Sequence, residues 1–155
     1  MMGDLVNDSE ATLAASPMPW ESPSSSLVLT KEGISAEQIT LALALESRDI
    51  GNPGSGIAAG PTWWAFSFDE HFSTDVELQV QALSELFTPR SEALRELGAS
   101  GHAARVDITG TVETGCKLRL SATTLARLTS LGIPVTFTTL AAPGVEEEDP
   151  LAWLD

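Results

Sequence analysis

The segment from Thr62 to Phe72 places the strongest constraint on the fold, because it holds five of the nine aromatic residues of the chain. Within it, Trp64, Phe66 and Phe68 alternate with small or polar residues. This period of two is typical of a β-strand with one buried face. We therefore expect the segment to form the central strand of a sheet and to face the hydrophobic core.

Trp63 is expected to point to the opposite face of that strand from Trp64, because successive side chains of a strand alternate between its two faces. A strand with tryptophans on both faces must bury both or expose one. An exposed Trp63 could stack on a small ligand, and we name it as the candidate ligand-contact residue. A buried Trp63 would leave the strand purely structural.

Length and composition favour one soluble domain. The chain has 155 residues, of which 43% are apolar, and this is enough for a hydrophobic core. Its single cysteine, Cys116, excludes an intramolecular disulfide, and the first residues lack the basic and apolar segments of a secretory signal. No apolar run has the length of a membrane helix. We expect a cytoplasmic protein without a membrane-spanning segment.

The acidic charge is concentrated near the two ends of the chain. The formal net charge is −14, and residues 1–26 carry four acids and no base, while residues 146–155 carry five acids and no base. No basic patch is visible, so binding to nucleic acid is disfavoured. An acidic surface suits a basic partner protein, and simple solubility is the alternative explanation.

These differences in composition predict three regions. Residues 1–26, with three prolines and a serine run, are expected to form a flexible acidic arm. Residues 27–142 are expected to form the single domain, and residues 143–155 an acidic tail. Trp20 stands out in the arm, because an exposed indole is costly unless something covers it. We expect Trp20 either to dock back on the domain or to contact a partner.

The tail ends in three large apolar residues that follow a run of acids. Apolar side chains flanked by acids suit a groove with a basic rim, and tryptophan commonly contributes most of the binding energy in such contacts. The alternative is that the same residues fold back and cover apolar surface of the domain. We call them the C-terminal anchors, and they are Leu151, Trp153 and Leu154.

Periodicity and caps predict an α+β domain with a small, mostly antiparallel sheet and helices packed on one face. Ser35 and Gln38 have the spacing of a capping box, and Pro89 is expected to interrupt the longest helix. The predicted strands are Leu27–Thr30, the aromatic segment, His102–Val112 and Ile133–Leu140, and Lys117–Leu120 is expected to be either a further paired strand or an extension of His102–Val112. The predicted helices run from Ser35 to about Ser47, from Val76 to Leu97 and onward from Ser121.

A weak repeat links the first and last of these helices. Ile34-Ser35-Ala36 aligns with Leu120-Ser121-Ala122, and the apolar positions that follow align as well. A duplicated strand-helix-strand unit, in a ferredoxin-like arrangement, would explain the similarity. Chance is an equally good explanation, because any two capped amphipathic helices share this pattern.

Titratable side chains form one compact cluster, Asp69-Glu70-His71, which we interpret as a solvated strand end because neighbouring residues of a strand point to opposite faces. Cys116 lies beside Lys117 and is interpreted as a structural cysteine. Arg90 and Arg95 are expected to form a solvent-facing charged stripe with nearby glutamates. The sequence therefore predicts no catalytic residue, no metal site and no cofactor.

The order of these motifs resembles the bacterial domain of unknown function 4279. The quoted segments are Ile34–Leu45, Trp63–Phe68, Val76–Leu97 and Leu120–Val135, and the resemblance covers about residues 27–140. It implies the fold and no reaction, and no site residue is carried over from it. Members of the family tend to have basic residues in the loop before the tryptophan. Residues 51–61 are uncharged here, which argues against an anionic ligand at that loop.

Two functional hypotheses follow. The first is a non-enzymatic protein-interaction module of a bacterial cytoplasmic complex, whose acidic tails dock on a partner protein through Trp20 and the C-terminal anchors. Immunity or inhibitor proteins that neutralise basic toxins are one such class, by analogy. The second is a small-ligand-binding domain or enzyme with a pocket beside the Trp63–Phe68 strand. No oligomeric state is predicted.

Overall fold

The computed structural model describes residues 19–141, in which five strands and five α-helices build an α+β fold. A 3-10 turn, Thr88–Arg90, joins the third and fourth helices. The elements in chain order are β1 (Glu21–Thr30), α1 (Ala36–Ala42), α2 (Ser47–Ile50), β2 (Ser55–Ala59), β3 (Trp63–Phe68), α3 (Val76–Phe87), α4 (Ser91–Ala99), β4 (Ala103–Val112), α5 (Ala122–Ser130) and β5 (Val135–Ala141).

All five strands belong to one sheet in the order β2-β3-β1-β4-β5. β1 pairs antiparallel with β3 and β4, β2 pairs antiparallel with β3, and β5 runs parallel to β4. The first four strands belong to two strand-helix-strand units, one that contains β1 and β2 and one that contains β3 and β4. The strands of the two units alternate in the sheet, which is the ferredoxin-like arrangement. The unit of α5 and β5 then extends the sheet beyond β4. The predicted, mostly antiparallel α+β fold is confirmed.

The helices that suggested a repeat have similar caps but different surroundings. Ser35 accepts a hydrogen bond from the Gln38 N–H at 3.3 Å, and Ser121 accepts one from the Thr124 N–H at 3.1 Å. However, β3 lies between the strands that flank α1, whereas the strands that flank α5 are neighbours. The sequence similarity therefore reflects two capped helices and not two copies of one structural unit.

The centre of the sheet differs from the prediction, because β1 and not the aromatic strand β3 lies in the middle. β1 also starts at Glu21, so it includes the last six residues of the predicted arm, and residues 1–18 lie outside the described part of the chain. The serine-rich start of β1 can be buried because its polar groups form hydrogen bonds. Ser25 is fully buried and donates to Gln79 Oε1 at 2.9 Å, and Gln79 Nε2 donates to the Pro23 carbonyl at 2.9 Å.

Two further predictions concern single segments. Pro89 does end the long helix, since α3 stops at Phe87 and α4 starts at Ser91. Lys117–Leu120 is not a strand, because the only ladder contact there within residues 19–141 is an isolated bridge between Lys117 and Pro19.

Arg90 was expected in solvent, and this prediction is wrong. Its side chain is only 18% exposed and pairs with Asp49 at 3.3 Å. The guanidinium also donates to the carbonyls of Leu43 at 2.7 Å, Leu86 at 2.6 Å and Ala44 at 3.3 Å. These carbonyls lie at helix ends, where they lack intrahelical partners, so Arg90 ties the end of α1 to the junction of α3 and α4. Arg95 does form an exposed pair, with Glu92.

The hydrophobic core lies between the sheet and the helices. All five helices pack on the same side of the sheet, which we call the covered face, and the opposite side is the open face. Trp64, Phe66 and Phe68 lie on the covered face, as predicted. The other main contributors are Leu27 and Leu29 from β1, Val106 and Ile108 from β4, and Ile39, Val80, Leu83, Phe87, Leu94 and Leu128 from the helices.

Candidate functional site

Trp20 packs against the core of the domain. Its indole lies so close to Gly110 of β4 that a Cβ atom on that glycine would be 2.7 Å from indole Cε3, so a side chain there would displace the ring. Next to Trp20 is a cavity of about 340 Å³ that is also lined by Val76, Lys117 and Arg119. The structure therefore docks Trp20 on the domain, with part of the residue still accessible.

The C-terminal anchors Leu151, Trp153 and Leu154 lie outside the described residues. The description ends at Ala141, which is also the last residue of β5. β5 lies at one edge of the sheet, and the acidic tail follows it in the sequence. The acidic tail and the edge strand are therefore continuous in sequence.

β5 is unusually apolar and exposed for an edge strand. It has seven residues and none is charged, while Phe137 is 50% exposed and Leu140 is 56% exposed. Within residues 19–141, no strand pairs with the side of β5 that faces away from β4, which we call the outer edge. Natural edge strands are commonly protected by charges, prolines or bulges, and β5 has none of these. Among residues 19–141, its outer edge is thus left without a partner strand.

Trp63 is 39% exposed and points to the open face, on the side opposite Trp64. Its indole lies against the backbone of Gly60, where a Cβ atom would be 2.3 Å from indole Nε1. Arg105 points to the same face from β4, two strands away, and forms no ion pair with a described residue. The predicted ligand-contact residue is therefore accessible, and its face carries both the Arg105 cation and the Asp107 carboxylate, which accepts hydrogen bonds from the Thr136 and Thr138 hydroxyls at 3.1 Å.

A cavity of about 360 Å³ lies at the end of β3, on the covered side. The Phe68 and Phe72 rings form part of its wall, with centroids 4.8 Å apart, and Arg48 and Asn52 contribute polar groups. Sequence reasoning missed this cavity and placed the candidate contact at Trp63 instead. The available signal was Phe72, which ends the aromatic segment and remains 38% exposed.

The titratable cluster at the end of β3 forms a solvent-exposed turn. Asp69 accepts a hydrogen bond from the backbone N–H of His71 at 2.8 Å, and its carboxylate is 3.2 Å from His71 Nδ1. Glu70 is exposed as well. Cys116 accepts a hydrogen bond at Sγ from the Glu113 N–H at 3.2 Å, also in a turn. Among residues 19–141, no three His, Cys, Asp or Glu side chains are grouped as metal ligands would be.

Glu77 links two helices through a charged hydrogen bond. Its carboxylate accepts from the backbone N–H of Ser121, the N-cap of α5. This hydrogen bond lowers the pKa of Glu77 below its ordinary value, because it stabilises the ionised form. The first turn of α3 is thereby tied to the start of α5.

In the described part of the chain, none of the helices combines the length and apolar character that crossing a bilayer requires.

Comparison with known proteins gives one result. No curated protein and no solved structure matched the chain. The family model described as "Domain of unknown function (DUF4279)" matches residues 21–142. The match starts at the first residue of β1 and includes all five strands and all five helices described above. The resemblance seen in the sequence is therefore confirmed, and the chain belongs to the DUF4279 family.

Proposed function

We propose that this chain is a non-enzymatic protein-interaction module of a bacterial cytoplasmic complex, and that its acidic C-terminal tail docks on a partner protein with a basic surface. Immunity or inhibitor proteins that neutralise basic toxins are one class with this chemistry, by analogy.

The observation that carries the proposal is the junction between β5 and the tail. An uncharged strand with exposed Phe137 and Leu140 leads into a segment that holds five acids, no base and the three C-terminal anchors. Apolar anchors provide binding energy once they are desolvated, and the surrounding acids guide the approach of a basic surface. The two features are adjacent in sequence, so one partner can contact both.

Trp20 has a smaller part in this proposal than the C-terminal anchors. Its indole already packs on Gly110, so that only the part of the residue left accessible can meet a partner. The cavity next to Trp20 is lined by two bases, Lys117 and Arg119, and one acid, Asp75, so the net positive charge of its lining would oppose a basic surface there. We therefore assign the main contact to the C-terminal side.

A pull-down from the native host tests the proposal. The full chain is compared with a variant that lacks residues 146–155 and with a variant in which four tail acids are neutralised. We expect both variants to lose most of the recovered partner, and we expect partner recovery by the full chain to fall as salt screens the acids. Equal recovery by all three proteins would overturn the tail mechanism. The four neutralising substitutions are Glu146→Gln, Glu147→Gln, Glu148→Gln and Asp149→Asn.

A control variant distinguishes binding through the tail from binding that depends only on the net charge of the chain. It neutralises four exposed glutamates of the domain, so that the net charge changes by the same amount while the tail is intact. We expect this variant to recover the partner as the full chain does. A loss equal to that of the tail variant would mean that total charge, and not the tail, drives binding. The control substitutions are Glu32→Gln, Glu85→Gln, Glu96→Gln and Glu113→Gln.

A small-ligand-binding role is the second candidate, and the cavity beside β3 favours it. Its volume of about 360 Å³ and its wall of two aromatic rings with Arg48 and Asn52 suit a planar ligand with polar substituents. A thermal-shift screen of metabolites, cofactors and metals tests this role, because a ligand that binds only the folded state raises the melting temperature. A true hit at this cavity should be lost in Phe72→Ala and kept in Trp63→Ala. No shift with any compound would contradict it.

A further inference from the structure

We propose that the outer edge of β5 binds β5 of a second copy of this chain, antiparallel, so that two five-stranded sheets join into one. This inference concerns the edge strand alone and does not rest on the tail mechanism.

The hydrogen-bonding pattern of β5 determines which residues can pair. Val106 of β4 donates from its N–H to the carbonyl of Pro134 at 2.8 Å, and Val106 lies opposite Val135 in the parallel register. In a parallel ladder this alternation directs the main chain of even-numbered β5 residues to β4 and that of odd-numbered residues outward. The outward groups belong to Val135, Phe137, Thr139 and Ala141.

One antiparallel register uses all four of these residues. When Thr138 lies opposite Thr138 of the second copy, Phe137 faces Thr139 and Val135 faces Ala141, and each pair exchanges main-chain hydrogen bonds. Any other two-fold register leaves at least one outward residue without a partner. The same register places the two Phe137 rings diagonally across the two-fold axis, within reach of each other. The half-exposed Phe137 thus gains an apolar contact.

Charge favours a second copy over a basic strand as the occupant. β5 has no charged side chain, so a copy meets no like charge in the ladder and a basic strand gains no opposite charge there. Antiparallel pairing also sends the two acidic tails in opposite directions. In this register the two tails follow Ala141 residues that are six residue steps, or about 20 Å, apart along the paired strands, which exceeds the Debye length of about 8 Å in physiological salt.

The opposite edge of the sheet is a poorer site. β2 has five residues, includes Gly56, and lies between Pro53 and Pro61. Short strands with glycine and flanking proline are a common way of preventing edge pairing. The two edges therefore differ in their capacity to bind a strand, and we assign self-association to β5 alone.

Cysteine cross-linking tests the register in the full-length chain. In a Cys116→Ser background, Thr138→Cys places two thiols on residues whose Cα atoms are about 4.5 Å apart, within the range of a disulfide. With glutathione disulfide as the oxidant, we expect a disulfide-linked dimer on a non-reducing gel. The matched control is Thr136→Cys, on the same face of β5, whose thiols would be about 14 Å apart in this register. Equal cross-linking of the two variants would overturn the proposal.

Sedimentation equilibrium tests the edge without new cysteines. Thr139→Pro removes an outward N–H but no hydrogen bond to β4, so the fold should persist while the dimer dissociation constant rises about tenfold or more. Phe137→Lys is the second variant, since it removes the apolar contact across the axis and places two cations diagonally opposite each other while keeping every main-chain donor. Dimers that persist in both variants, or a parent chain that is monomeric at all concentrations, would overturn the proposal.

Salt distinguishes this association from the tail mechanism. At about 10 mM salt the Debye length rises to about 30 Å, so the acidic tails repel each other and the dimer weakens, whereas binding of a basic partner strengthens. We expect the chain without residues 146–155 to keep the dimer and lose the partner. A dimer that disappears with the tail would place self-association outside β5 and overturn this inference, while leaving the proposed function intact.

Discussion

Trp63 and Trp64 are neighbours in the chain and lie on opposite faces of β3 in different surroundings. Trp64 is completely buried under the helices, whereas Trp63 is 39% exposed on the open face. The same residue type therefore serves the core in one position and remains accessible in the next. Stability should depend on the covered face, and the open face and the β5 edge should be free to vary with function.

The largest expected effect is at Trp64. Trp64→Ala leaves a large cavity under the helices and should lower the free energy of unfolding by about 3–5 kcal/mol. Trp63→Ala, the matched change on the open face, should cost less than about 1 kcal/mol. Urea unfolding followed by circular dichroism measures both. Similar losses of unfolding free energy for the two variants would mean that both faces contribute equally to stability. That result would contradict the claim that stability depends on the covered face.

The helix layer provides the next test. Arg90→Ala leaves three carbonyls and the Asp49 carboxylate without their partner, and should lower the free energy of unfolding by about 2–4 kcal/mol. Arg95→Ala, which removes an exposed pair on α4, should cost less than about 0.5 kcal/mol. The same urea titrations apply. A small loss at Arg90 would indicate that water can replace the guanidinium at the end of α1.

A smaller effect on stability is expected at acidic pH, and it involves the contact between α3 and α5. The pKa of Glu77 is lower in the folded protein than in the unfolded chain, so its stabilisation is present above the ordinary pKa of about 4.5 and is lost as the pH falls through the lower folded value. Glu77→Gln should therefore flatten the decline in stability below about pH 4.5. Thermal melts from pH 7 to pH 3 measure this, with Glu85→Gln on the same helix as the charge-matched control. Parallel pH profiles for the parent chain and the Glu77 variant would contradict the assignment.

The smallest expected effect is a small increase in stability, at Ser84. The hydroxyl of Ser84 is buried on α3 and has no hydrogen-bond partner among the described residues. Ser84→Ala should keep the packing and remove this unsatisfied group, so the free energy of unfolding should rise by up to about 1 kcal/mol. Thr123→Ala, at an exposed position of α5, is the control for a hydroxyl lost from a surface helix. A loss of stability would show that water, or a residue outside residues 19–141, forms a hydrogen bond with Ser84.

The sequence predicted well where structure depends on local pattern. The alternation of Trp64, Phe66 and Phe68, the cap at Ser121 and the break at Pro89 involve residues close in the chain, and the structure has each of them. Cap and core motifs of this kind also carried the family resemblance, which a match over residues 21–142 confirms. The fold class followed from these elements.

The failures of prediction involve partners that are distant in sequence. The polar start of β1 is buried because Ser25 meets Gln79, 54 residues later, and Arg90 is buried because it meets carbonyls more than 40 residues earlier. Composition alone indicates solvent exposure for such residues. For the same reason, the exposed edge of β5 and the cavity at Phe72 were not predicted. Both features exist only once strands and helices that are distant in sequence pack side by side.

The central position of β1 also affects how the protein is made. Of the five strands described in residues 19–141, β1 leaves the ribosome first, yet Leu29 pairs with Trp64 on one side and with Ala104 on the other. At 5–20 residues per second, the second neighbour is synthesised roughly 4–15 s after the first strand. For that interval Leu27-Val28-Leu29 is an apolar segment without its sheet, and it is a natural target for a chaperone. Slow codons between β1 and β4 should therefore reduce the yield of soluble protein more than slow codons after β5.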